Sequence, residues 1–256
     1  MTRVVSWNVN GLRSALSKSL HAHIAALQPD VLLLQEVRSF PEQLPPGATD
    51  GWNVAWHPAK KAGYAGTAVW SRHPITSTTR GLDPLDDDAD GRVLQAATAG
   101  LNVASIYLPS GASGPEKQAN KEAWMARFLP WAAARAAEGL PVLLGGDLNI
   151  AHTPQDIWNA KGNAKNSGFL PHERAWFGDL LHAGWTDTLR RAAGPGQGPY
   201  SWWSNRGNAR ALDRGWRIDY LLASPNLAHR VRAAGVHRQG GLDTSDHAPI
   251  WVDIDP

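Results

Sequence analysis

The chain has 256 residues, 25 lysines and arginines against 23 acids, and no cysteine. That length buries a sizeable core without staples, and the missing cysteine excludes disulfides, thiolate metal sites and cysteine nucleophiles. The opening MTRVVSWNVNG carries no apolar leader and no run approaches ~18 apolar residues, so a cytoplasmic protein with no membrane partner is expected.

Val4–Val9 reads as a strand, and Leu12, Leu16, Leu20 and Ile24 line one face of a helix that Pro29 ends. Val31–Leu34 is a buried strand running straight into Gln35 and Glu36. Val54–His57 with Thr67–Trp70, and Gly91–Ala97 with Leu101–Leu108, read as two strand pairs. Glu116–Glu138 has helical composition, and Pro130 inside it predicts a kink or two consecutive helices. Val142–Leu144 is a strand, Pro171–Ala183 a helix, and Ser201–Trp203, Ile218–Leu222 and Pro249–Ile254 close the chain as strands. Hairpins mixed with crossovers, and no linker or repeat, predict one domain over residues 1–256 built as a layered α/β sandwich. Most of the 13 tryptophans are expected to fill the core.

Charge is unevenly spread. Residues 190–217 hold Arg190, Arg191, Arg206, Arg210, Arg214 and Arg217 against the single acid Asp213, whereas DPLDDDAD at 83–90 holds five acids and no base. One surface that attracts polyanions is one reading; two solvated loops of opposite sign is the other.

Several predicted strands stop at a polar residue: Asn8 in SWNVNGLR, Glu36 in LLLQEVR, Tyr107 in SIYLPSG, Asp147 and Asn149 in GGDLNIAH, Asp219 in WRIDYLL, Asp246 and His247 in TSDHAPI. Singly, each has an ordinary explanation as a turn cap or the first solvated residue. Together they suit one chemistry, at the strand termini where layered α/β folds bind ligands. Glu36, Asn8 and Asp246 supply hard oxygen donors for a cation such as magnesium. His247 beside Asp219 or Asp246 is a histidine that a carboxylate can keep protonated. Asp147 and Asn149, two apart in an extended segment, can converge on one water. Phosphate ester hydrolysis is so slow uncatalysed that a lone base, worth ~10²–10⁴-fold, is not enough, and charge stabilisation must supply the rest.

SWNVNGLR, LLLQEVR, GTAVWSRHPI, YLPSG, GGDLNIAH, WRIDYLL and TSDHAPI, in this order from Val4 to Ile254, resemble the exonuclease III family of abasic-site DNA endonucleases, within the endonuclease/exonuclease/phosphatase superfamily. The resemblance implies a four-layer α/β sandwich of two mixed β-sheets packed face to face and flanked by helices. It implies incision 5′ to abasic sites and trimming of 3′ ends with magnesium, manganese able to substitute, on double-stranded DNA with abasic sites or blocked 3′ ends; a monomer is expected because no exposed apolar stripe is left over. The alternative is a relative acting on RNA or an inositol phosphate. Tyr107 in place of a second catalytic histidine, Trp216 before RIDY, and KGNAKNSGF at 161–169 favour the repair branch.

Carried over, the family implies that Asn8, Glu36 and Asp246 bind the metal. Asp147, oriented by Asn149, would position or deprotonate the water; His247, paired with Asp219, would contact the phosphate, and Tyr107 would contact it or help the leaving group. Trp202, Trp216 and Ile218 match the pocket for a base-free sugar, with Trp203 read as core. Asn163 and Asn166 match backbone contacts, and Arg206 lies near a side chain that relatives insert into the duplex. Ser110 and Asn10 depart from residues that some relatives carry there.

Overall fold

The computed structural model describes residues 1–256. The chain runs β1 (Thr2–Asn8), α1 (Leu12–Leu16), α2 (Leu20–Leu27), β2 (Val31–Gln35), β3 (Asn53–His57), β4 (Thr67–Ser71), β5 (Ile75–Arg80), β6 (Val93–Thr98), β7 (Leu101–Tyr107) and α3 (Pro115–Ala137). It continues through β8 (Val142–Asp147), α4 (Ala160–Asn163), α5 (Pro171–His182), β9 (Thr186–Asp187), α6 (Thr188–Ala193), β10 (Asp219–Ala223), α7 (Pro225–Ala228), β11 (Val231–Val236), α8 (Gly240–Asp243) and β12 (Ile250–Ile254).

The strands form two six-stranded sheets, ordered β11-β12-β1-β2-β4-β3 and β5-β6-β7-β8-β10-β9. Each sheet holds one parallel pair at its centre, β1 with β2 and β7 with β8, among antiparallel neighbours. Successive strand side chains point to opposite faces. Val4, Leu33, Val103, Leu143 and Leu221 therefore meet between the sheets, while Val5, Leu32 and Leu34 pack outward on α1 and α2. Leu144, Tyr220 and Leu222 pack outward on Met125 and Phe128 of α3 and Phe177 of α5. This is the expected four-layer sandwich. Burial on both faces is why VLLL and VLLGG show no polar alternation. Gly145 has a packing reason to lack a side chain: a Cβ there would sit 2.5 Å from Leu33 and 2.9 Å from Leu221, between the sheets.

The structure departs from the sequence reading in local detail. The apolar stripe from Leu12 to Ile24 is shared by two helices, because Ser17 and Lys18 turn back onto Arg13 and Ala15. α3 is one helix that continues through Pro130. Ser201–Trp203 is not a strand but a bridge in which Trp202 exchanges both backbone hydrogen bonds with Trp216. β5 (ITSTTR) and β11 (VRAAGV) escaped notice because they are edge strands with little burial and no apolar alternation.

The arginine run is also less of a surface than its composition suggests. Arg217 is fully buried between Asp156 (2.7 Å) and Asp187 (2.8 Å), and Arg190 pairs with the same Asp156. The acidic run is partly consumed by local contacts: Asp86 with Arg127, Asp87 with Lys60 and Asp90 with Arg92.

Candidate active site

The two central parallel pairs end on the same side of the sandwich. Asn8 is opposite Gln35 at the end of β1 and β2, and Tyr107 opposite Asp147 at the end of β7 and β8. Antiparallel β10 brings its first residue, Asp219, opposite Asp147. A cavity of about 590 Å³ opens there, lined by Glu36, Tyr107, Asp147, Asn149, Asp246 and His247 together with Asn166, Trp202, Trp216 and Ile218. Residues spread from position 36 to 247 thus share one wall.

His247 is buried, and its Nδ1 faces Asp219 Oδ2 at 2.9 Å. Asp219 is itself fixed by the Ser201 hydroxyl, which donates to Oδ2 at 2.6 Å. On the other side of the ring, Nε2 stands 3.8 Å from Asp147 Oδ2. Burial pulls the imidazole down, but the surrounding carboxylates, Asp219 foremost, outweigh it and raise it to about 10. Asp147 moves up to about 7: burial disfavours its charge, and the attraction of His247 only partly offsets that. Asp147, Asp219 and His247 bring ligand-type atoms within 4.8 Å of one another. A protonated imidazole has no lone pair to give a metal, so this group is better suited to holding a proton than a cation.

Asn149 converges with Asp147, though not as an extended strand would arrange it. Its backbone is left-handed (φ +50°), and its N–H donates to Asp147 Oδ1 at 2.9 Å. The turn, closed by Asn149 Nδ2 on the Leu108 carbonyl at 2.9 Å, brings both side chains to the cavity. Asparagine tolerates this conformation better than most residues.

Glu36 and Asp246 bring two carboxylates to the same cavity. Asp246 is held ionised: burial opposes its charge, but His247, the Trp202 indole and Asn10 outweigh that. Its oxygens accept from Asn10 Nδ2 (2.8 Å) and Trp202 Nε1 (3.2 Å). Glu36 accepts from Asn8 Nδ2 at 2.9 Å and pairs with Arg38. Asn8 was expected among the metal ligands, but it lies fully buried beneath the carboxylates. Its Nδ2 bridges Glu36 and Asp147, each at 2.9 Å, and its Oδ1 accepts the Asn10 N–H. Through Nδ2 its amide holds the two acids in place. Two carboxylates beside exposed cavity space, with amides as the nearest neutral donors, fit a hard divalent cation. Tyr107 keeps its phenol proton, because burial and the nearby Glu36 and Asp147 charges disfavour the phenolate.

The cavity's other wall is apolar. Trp202 and Trp216 meet edge to face at 6.0 Å, packed with Ile218 on Ala151, Ile157 and Phe169. Trp203 is fully buried in a separate cluster. Asn166 lines the cavity with Lys165 and Ser110, whereas half-exposed Asn163 donates to the nearby Trp158 and Asn159 carbonyls and accepts from Asn166 Nδ2. Arg206 is exposed on a loop and does not line the cavity.

Sequence reasoning missed the supports behind this wall. Lys121 and Glu173 form a fully buried ion pair at 2.7 Å. Lys121 also donates to the Asn149 carbonyl at 2.9 Å, and Glu173 accepts the Gly168 N–H at 2.6 Å. Gly168 fits because it has no Cβ, which would lie 3.0 Å from both the Asn149 carbonyl and the Trp216 ring. Neither charge lies in a recognisable motif; each sits among exposed helix residues, and only packing puts them together. Arg217, between Trp216 and Ile218, works similarly from within, anchoring the pocket segment to Asp156 and Asp187.

A buried acid near neutrality, a histidine held as a cation and two further carboxylates define a hydrolase site built for a charged, oxygen-rich substrate. Residues 5–247 match the model of the Endonuclease/Exonuclease/phosphatase family, and the chain belongs to that family. It is 34% identical over 253 residues to an exodeoxyribonuclease of Bacillus subtilis, covering 98% of this chain and 99% of that protein. It is 32% identical over 260 residues to a DNA-(apurinic or apyrimidinic site) endonuclease of Dictyostelium discoideum, covering 99% of this chain and 70% of the relative. Among solved structures, the Neisseria 3′ phosphatase NExo bound to a product DNA hairpin superposes with a TM-score of 0.92, at 30% identity and full coverage of both chains. The family depends on a divalent metal.

Proposed function

We propose that this protein is a DNA-repair nuclease that cuts the backbone 5′ to abasic sites and trims 3′ ends, with magnesium as the preferred metal. The observation that carries the reading is the pairing of a phosphate-type site with an adjoining apolar wall: Asp147 and the Asp219–His247 couple face the same cavity as Trp202, Trp216 and Ile218. Relatives named exodeoxyribonuclease and abasic-site endonuclease support it. The wall suits a flipped sugar without a base, and a missing base lowers the cost of flipping.

In this mechanism Asp147, near neutral in its proton affinity, accepts the proton of the attacking water, while Asn149 orients that water. His247 donates Nε2–H to a non-bridging phosphate oxygen, and Asp219 holds the ring and its charge. Tyr107 hydrogen-bonds the same phosphate through its phenol O–H; as the water oxygen bonds to phosphorus the P–O3′ bond breaks, and the departing 3′ oxygen takes a proton from solvent to leave as a hydroxyl. Glu36 and Asp246 would hold magnesium, whose positive charge stabilises the charge that develops on the phosphate. Asn166 contacts the DNA backbone beside the cavity.

The test is a labelled duplex with one abasic-site analogue, run with magnesium and with chelator, beside an intact and a 3′-recessed duplex. Magnesium-dependent cutting 5′ to the lesion and shortening of the recessed strand are expected. Active protein that leaves all three untouched in magnesium and manganese would overturn the reading.

A further inference from the structure

Of the 13 tryptophans, Trp158 alone is exposed, at 42%. Its place follows from its neighbour. Ile157 is extended (φ −146°, ψ 133°), so consecutive side chains there point in opposite directions. Ile157 packs behind the cavity wall with Phe169 and Ile218 and bridges to Trp216. Trp158 therefore emerges on the solvent side. Its N–H donates to the Gly215 carbonyl at 2.9 Å, and its carbonyl accepts from Asn163 Nδ2 at 3.2 Å. These bonds hold the Trp158 backbone beside the segments that lead into cavity-lining Trp216 and Lys165–Gly168.

The Arg214 guanidinium lies over the ring, 4.7 Å from its centroid. The surrounding charge is positive. Residues 157–170 contain Lys161 and Lys165 and no acid. Among residues 205–216 the one acid, Asp213, is taken up by Arg238 and the Trp203 indole. Lys165 itself lines the cavity. At 42% exposure, with Arg214 over its ring, the Trp158 indole keeps a large apolar surface open to water. An exposed aromatic face with unpaired cations around it, on the rim of a cavity that takes a phosphodiester, is the chemistry of base stacking on a tracked backbone.

We propose that Trp158, backed by Arg214, is a stacking platform for an unpaired base of the bound DNA, a nucleotide subsite outside the catalytic cavity. The inference rests on the DNA reading above. Inside a duplex both faces of a base are covered by its neighbours, so the occupant is a nucleotide at a strand end or in a single-stranded flank. Arg214 contributes by polarising the ring and by meeting the adjacent phosphate.

The test compares wild type with Trp158→Ala and Trp158→Phe. Binding is measured in magnesium by anisotropy on three duplexes with phosphorothioate linkages that block cutting: blunt, 3′-overhanging and 5′-overhanging. Wild type should bind one overhanging duplex about 5- to 100-fold more tightly than the blunt one. Trp158→Ala should erase that preference and leave blunt-duplex affinity within about twofold, while Trp158→Phe keeps most of it. A 2-aminopurine in the preferred overhang should be quenched by wild type and not by Trp158→Ala. An overhang preference that is absent in wild type, or unchanged in Trp158→Ala, overturns the subsite and leaves the nuclease reading standing. Wild type that binds no DNA at all overturns the nuclease reading itself.

Discussion

Replacing Asp219 by asparagine isolates the charge that supports His247. Burial alone would favour a neutral imidazole, yet Asp219, Asp147 and Asp246 together raise the ring from 6.5 to about 10. That difference amounts to about 5 kcal/mol in favour of the cation. Asp219 is the largest of the three influences and the one in hydrogen-bond contact, at 2.9 Å. Asp219→Asn removes that influence while the burial stays, so the ring falls well below its wild-type value and is less committed to its charge. Asparagine can still accept the Nδ1–H, so the ring stays in place. A raised histidine is charged below its folded value and loses the charge above it. Wild type should therefore hold the imidazolium across about pH 6–9, whereas the variant loses it within that range. The assay is turnover on an abasic duplex from pH 6 to 9 at fixed saturating magnesium, so that the metal's own field is common to both proteins, with DNA affinity measured in parallel. The variant-to-wild-type ratio should fall by about tenfold or more between the two ends of the range, with affinity little changed. A ratio independent of pH would refute the assignment of His247 as a charged donor.

Glu36→Gln should raise the magnesium concentration for half-maximal activity by about tenfold or more, and weaken manganese binding followed by electron paramagnetic resonance; superimposable titrations would remove Glu36 from the metal site. Gly168→Ala places a Cβ 3.0 Å from the Asn149 carbonyl and the Trp216 ring at φ +91°. It should cost about 1–2 kcal/mol in stability and reduce abasic incision more than trimming of a normal 3′ end, and equal losses would separate Gly168 from the sugar pocket. Asp156 sits at about 2: burial opposes its charge, but Arg217 and Arg190 overcome that. Its stabilisation, about 2 kcal/mol, is present above pH ~4 and is lost as pH falls through about 2. Asp156→Asn should flatten the acid limb of the unfolding curve and, by leaving Arg217 with one buried partner, cost about 3–5 kcal/mol at neutral pH; an acid limb that matches wild type would contradict this.

The buried central strands were legible because burial is written into apolar runs: VLLL and VLLGG need no tertiary information, and the stripe from Leu12 to Ile24 marked a helical face though not its break into two helices. The strand-end residues were legible too. Glu36, Tyr107, Asp147, Asn149, Asp246 and His247 line one cavity; residue types left the partner of His247 open between Asp219 and Asp246, and the family resemblance implied Asp219. What the spacing did not carry was everything that depends on a partner distant in the chain. The role of Asn8 turns on which way its amide points, and Glu36 and Asp147, 28 and 139 residues away, decide that. The arginine run at 190–217 became partly interior because Asp156 and Asp187 lie where folding brings Arg190 and Arg217. Lys121 and Glu173 carry no signal as single residues, since a charge in a helix is ordinarily solvated. Only when α3 and α5 pack does each become the other's solvent, and between them they set where Asn149 and Gly168 stand. Local pattern reports which apolar residues are buried; which charges and amides are buried with them, and what meets them there, is a property of the assembled sandwich alone.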